Sequence, residues 1–178
     1  MVKFRVGDII KYVPLKFSFG RFIDSICDMI IVWATKDRYN HASMVTEVKD
    51  GIVYITETHA KTGTVKKIFE DKWLSCVQVV RPKCINAKKI SAAKLMESQI
   101  GSKYDMTACL LSGFRGLLNL GRRDKIMFDA DNEYFCSNEI AVCYKRYGIE
   151  ISDVDASQCT PSDINRGGGY GEIIYEAK

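Results

Sequence analysis

Two residues in this chain have the type and placement for nucleophilic chemistry together: a cysteine at the start of a helical pattern, Cys136, and a histidine at the start of a strand pattern, His41. A thiol is a useful nucleophile only when ionised, and a helix N-terminus beside an imidazole favours that form. Tyr134-Phe135 reads as extended chain and Ser137-Asn138-Glu139 as a first helical turn, so Cys136 falls at such an N-terminus. The imidazole in turn needs a third group to fix its tautomer and stabilise its protonated form. Glu57, on the strand that follows His41, is the candidate. The chemistry of that set is acyl transfer through a thioester, with His41 moving the proton. The plain alternatives are a cysteine that only packs and a histidine that sits at a surface.

Register decides whether Glu57 can serve. Residues 41–48 and 52–59 read as two strands joined at Lys49-Asp50-Gly51, a strong hairpin signal. With a two-residue loop of Asp50-Gly51, Lys49 faces Ile52 and Glu57 points away from His41. With a three-residue loop, Val48 faces Ile52, position 41 pairs with 59, and His41, Ser43 and Val45 share a face with Val53, Ile55 and Glu57. Glu57 then lies diagonally from His41, at a backbone separation of roughly 7–8 Å that long side chains bridge. The three-residue loop, with Gly51 left-handed, is the expectation. His59 would lie opposite His41, lining the cleft or simply solvated.

The elements that must position these residues follow from periodicity. A first strand is expected over 6–12, and helical spacing over 22–34 predicts a helix there. Further strands are expected over 65–68 and 76–81. Asn86 is expected to cap a helix running to residue 100, with Gly101 as its left-handed terminator. A helix over 106–118 is weakened by Gly113 and Gly116. Residues 136–147 form another, with Cys136, Ile140, Cys143, Tyr144 and Tyr147 on one face and Gly148 at its end. The tail carries Thr160-Pro161-Ser162-Asp163-Ile164 and then the loop Arg166-Gly167-Gly168-Gly169. No repeat or linker divides the chain, so a single α+β domain over 1–178 is expected.

Composition narrows the function classes. At 178 residues the chain is long enough for a core of its own. Apolar residues make up 47% and charged residues 27%, and the net charge is only +4 with basic residues spread along the chain, so no nucleic-acid partner is expected. The N-terminus lacks an export-signal pattern, and the apolar windows at 23–34 and 106–120 are too short or too charged to span a bilayer. A cytoplasmic location is therefore expected. Seven cysteines without an export signal argue for free thiols. None of them has the close spacing of a zinc knuckle and there are only two histidines, so no metal and no cofactor is expected.

Taken in order, the motifs resemble those of a known family, the circularly permuted NlpC-like branch of the papain-like cysteine hydrolases. That group includes YiiX/YaeF-like proteins and is related to lecithin–retinol acyltransferases. Gly7-Asp8-Ile9-Ile10 resembles its opening strand, Asn40-His41-Ala42-Ser43-Met44-Val45 its histidine strand, and Thr56-Glu57-Thr58 its acidic strand. Gly101-Ser102-Lys103-Tyr104-Asp105 is similar to the segment ahead of the nucleophile, Tyr134-Phe135-Cys136-Ser137 to the cysteine motif, and Thr160-Pro161-Ser162-Asp163-Ile164 to the closing segment. The likeness spans residues 6–165. Asn138 and Glu139 depart from the family, which more often has an acidic residue directly after Cys-Ser, and this leaves the part played by Glu139 open.

The resemblance implies a papain-like antiparallel sheet or half-barrel packed against the Cys136 helix. It also implies a hydrolase of amide, peptide-like bonds with a Cys136-His41-Glu57 triad. The backbone N–H of Cys136 would receive the oxyanion, and Tyr104 is either a second donor or a tyrosine packed at a loop. A peptide, an amide or a lipid-amide is the expected substrate. Two other readings stay open: a lipid-directed thioester acyltransferase or lipase with peripheral membrane contact along 106–120, and a non-catalytic binding protein that keeps the fold. Oligomeric state is left open.

Overall fold

A computed structural model describes residues 2–13, 38–104, 133–134 and 136–177. The chain runs through β1 (Ile9–Tyr12), β2 (His41–Lys49), β3 (Ile52–His59), β4 (Gly63–Ile68), a 3-10 segment at Asp71–Cys76 and β5 (Val77–Pro82). It continues through α1 (Asn86–Ser98), the short strands β6 (Lys103–Tyr104) and β7 (Glu133–Tyr134), α2 (Cys136–Lys145) and β8 (Gly171–Glu176). Six strands form one antiparallel sheet in the order β4-β3-β2-β1-β5-β8, and β6 and β7 form a separate parallel pair. The architecture is α+β.

Alternation along the strands sends neighbouring residues to opposite faces. Ile9 joins Ala42 and Met44 of β2, Ala92, Ala93 and Met96 of α1, and Ile140, Cys143 and Tyr144 of α2. Ile10, the next residue, joins Val45, Ile55, Val77, Val79 and Phe69 on the other face. An α-helix of only 10 residues is marginal in water on its own. The burial of Ile140 and Tyr144, at about 1.5–3 kcal/mol for a large apolar side chain, therefore keeps α2 helical and seated on the sheet. Asp8, fully buried, ties β1 to β5. It takes Arg81 Nε and Nη2 at 2.8 and 2.7 Å and the Arg5 backbone N–H at 2.7 Å.

Several sequence expectations are adjusted. The helices expected at 22–34 and 106–118 lie outside the described residues. Asn86 does not cap α1: Ile85 occupies the N-cap position, without a side-chain hydrogen bond. Gly101 is left-handed at φ 93°, but it stands beyond the helix end and donates its N–H to Thr64 O at 2.9 Å. Strand β8 was not anticipated, although Ile173-Ile174-Tyr175 after a glycine-rich loop is a β-type signal.

The hairpin corrects the loop expectation. Lys49 pairs with Ile52, so the loop is the two-residue Asp50-Gly51, with φ 51° and 79°. Positive φ at both central positions is the turn that matches strand twist. The register then shifts between Val45 and Glu47, where Thr46 is an extra residue on β2, and Val45 pairs with Ile55 and Met44 with Thr56. Thr46 Oγ1 hydrogen-bonds Thr56 Oγ1 at 2.9 Å. This β-bulge restores the side-chain parity that the shorter loop had reversed. The two-residue loop therefore does not turn Glu57 away from His41.

Candidate active site

His41 opens β2 and pairs with Tyr12 of β1. Its ring lies 5.4 Å from the Tyr12 ring, and the Tyr12 hydroxyl meets Ser43 Oγ at 2.9 Å. From β3, Glu57 reaches the same face with 1% of its side chain exposed. His41 Nε2–H donates to Glu57 Oε2 at 2.9 Å. The other oxygen, Oε1, accepts from His59 Nε2–H at 2.6 Å and from the Lys67 ammonium on β4. The His41 and His59 rings stack at 4.7 Å with planes 19° apart. Burial opposes the Glu57 charge, but hydrogen bonds and charge from His41 and His59 outweigh it and hold the carboxyl well below its ordinary range.

Cys136 is the first residue of α2 and is 2% exposed. Its thiol lies near enough to the His41 ring to favour the protonated imidazole. Burial pushes the His41 imidazolium down, whereas Cys136 first and then Glu57 push it up, with a net result of about 10. His41 thus stands between a carboxylate and a thiol, as general acid–base chemistry requires. Burial raises the thiols of Cys76 and Cys84, pushes Cys143 up to about 12 and takes Cys159 higher still. Cys27 and Cys109 lie outside the described residues.

Helix α2 is tied to β3 and β4 through Glu139. Glu139, 1% exposed in the first turn of α2, accepts from the hydroxyls of Thr58 on β3 and Thr64 on β4. Burial raises its pKa to about 7, against a smaller downward pull from the two threonines. Beside it, between α1 and α2, is a groove of about 440 Å³ lined in part by Leu95, Val142, Arg146 and Tyr147. Ser137 Oγ donates to Cys159 O at 2.6 Å and fixes the helix start from its far side.

The structure thus brings His41, Glu57 and Cys136 together and adds His59 and Lys67. The sequence left His59 open and did not single out Lys67. Lys67 pairs opposite Ile55, diagonal to Glu57 on the same face, a register the sequence does not display. The Tyr104 side chain lies outside the described residues. Among the described residues, His41, Glu57 and His59 are also the group whose ligand-type atoms fall within 4.8 Å of one another. Both imidazoles and the Lys67 ammonium converge on the Glu57 carboxylate. Among the described residues no helix is long and apolar enough to cross a membrane.

No model of a known protein family matches this chain, and no curated protein is significantly similar to it in sequence.

Proposed function

We propose that the chain is a cysteine hydrolase of amide, peptide-like bonds with a papain-like site, in which Cys136 is the nucleophile, His41 the acid–base and Glu57 its orienting carboxylate. One observation carries the reading: His41 gives Nε2–H to a buried carboxylate at 2.9 Å while standing close enough to the Cys136 thiol for the thiol to raise its pKa. The resemblance to the permuted NlpC-like family, drawn from motif order, supports it. Sequential order does not matter to such a site, because catalysis depends on placement in space.

The steps follow from these atoms. His41 takes the proton of Cys136 Sγ, and the thiolate attacks the carbonyl carbon to form a C–S bond. The oxyanion is received by the Cys136 backbone N–H, one of the helix-start donors that have no intrahelical acceptor. The C–N bond breaks as His41 returns the proton to the leaving amine, and a thioester remains. Water, deprotonated by His41, attacks the thioester; a carboxylic acid leaves and the sulfur regains its proton. An alcohol or amine acceptor in place of water would make the second half a transfer.

The test is alkylation with limiting iodoacetamide at about pH 6, where an ordinary thiol of pKa about 8.5 is almost wholly protonated. Peptide mass mapping should find the label on Cys136 ahead of the other six cysteines, and His41→Ala should abolish the preference. Labelling of Cys136 no faster than the rest would overturn the reading and favour a binding protein.

A further inference from the structure

We propose that His59 is a positioning residue of this site: it holds the second oxygen of Glu57 and lies flat against His41, keeping the His41 imidazole in the orientation that serves Cys136. The inference rests on the hydrolase reading, and its test separates the two.

A carboxylate held at one oxygen is free to turn, because the terminal torsion of glutamate is broad and roughly two-fold. Any such turn moves the acceptor that orients His41. Here Oε1 is held by His59 at 2.6 Å while Oε2 is presented to His41 at 2.9 Å, so the carboxylate plane is pinned from both ends. The stacked His59 ring, 4.7 Å from that of His41, also covers one face of the imidazole.

The position of His59 is itself built into the fold. It is the last residue of β3 and pairs with Gly63, the first of β4. Gly63 has φ 67° and sits directly against the Ser102 carbonyl, which accepts the Thr64 N–H at 3.0 Å. The residue before it, Thr58, donates to Glu139 of the nucleophile helix. The strand end that carries His59 is thereby tied to the helix that carries Cys136. His59 is 36% exposed against 1% for Glu57, so its removal opens a space that solvent and small solutes can enter.

Lys67 remains on Oε1 when His59 is removed, so the expected loss is partial. Iodoacetamide alkylation of Cys136 in His59→Ala should slow about fivefold to tenfold, less than the loss of a whole hydrogen bond to a charged group. With only two histidines in the chain, histidine labelled with nitrogen-15 in the ring gives two imidazole spin systems in the wild type and that of His41 alone in His59→Ala. The His41 Nε2–H resonance should shift and broaden in that variant. Added imidazole, which can refill the space, or His59→Gln, which keeps a side-chain N–H donor, should restore the alkylation rate. An unchanged rate and an unchanged His41 resonance overturn the proposal, and so does a loss that neither imidazole nor His59→Gln restores. If His41→Ala leaves the rate unaffected, the hydrolase reading falls and this inference with it. Loss in His41→Ala without loss in His59→Ala overturns the positioning role alone.

Discussion

Glu139 offers a sharp test of the packing around the nucleophile helix, because its carboxyl is buried at the junction of α2 with β3 and β4 without a cation on it among its described partners. Burial lifts its pKa from 4.5 to about 7. In the unfolded chain the group ionises near its ordinary value; in the folded chain it keeps its proton until near neutrality. Between those two values the folded state binds more protons than the unfolded state, so stability falls as pH rises through that window and levels off above about 7. At about 1.36 kcal/mol per pH unit, the gap is worth about 3 kcal/mol. Glu139→Gln keeps the shape and can still exchange hydrogen bonds with the Thr58 and Thr64 hydroxyls, but it does not ionise. Urea unfolding of both proteins from about pH 5 to about pH 8 should show the variant gaining about 2–3 kcal/mol relative to wild type across the range. Groups common to both proteins cancel in that difference. A difference that stays flat with pH, or runs the other way, would refute an unpaired buried carboxyl and require a cation or ordered water beside it.

Two further outcomes concern the site and the strand junction that supports it. Glu57→Gln removes a charge and a charge-assisted acceptor from His41, so the imidazolium should lose its proton at a pH well below about 10 in a nitrogen-15 titration. Cys136 alkylation should slow about tenfold or more, the loss expected from a hydrogen bond to a charged group; an unshifted His41 midpoint would take Glu57 out of the site. Gly63→Ala places a Cβ against the Ser102 backbone carbonyl at a positive φ, where neither partner is a flexible side-chain end. The expected loss in urea unfolding is about 2–4 kcal/mol, and a loss below about 1 kcal/mol would mean that the β3–β4 junction yields.

The parts of this structure that the sequence displays are those with a local cause. Asp50-Gly51 announces a hairpin because both central residues tolerate positive φ, and the face of Ile140, Cys143 and Tyr144 announces α2 because its period matches a helix packed on one side. The candidate site belongs to the same class insofar as His41 and Cys136 stand at element starts. The bulge at Thr46 has no such signature, because threonine is an ordinary strand residue and the extra position is chosen by the packing of Met44 and Val45 onto opposite faces of the sheet. Glu139 was equally hard to read: the threonines that hold it are 81 and 75 positions away in sequence.

The hairpin shows why the pairing of His41 with Glu57 could be anticipated from an incorrect loop. Alternation is sensitive only to parity. A three-residue loop with a regular ladder and a two-residue loop with one bulged residue differ by an even number of reversals, so both put residues 41 and 57 on the same face. Burial arbitrates between them. Ala42, Met44 and Val45 must reach their two apolar clusters whichever loop forms, and burying three such side chains outweighs the local cost of one unpaired bulge residue. The tight turn is then satisfied at one end of β2, the core in the middle, and the reversal between them is absorbed at Thr46, before the strand reaches the histidine. The hairpin tip can thus change length by a compensated residue without moving His41 relative to Glu57, because core packing rather than the turn sets that relation.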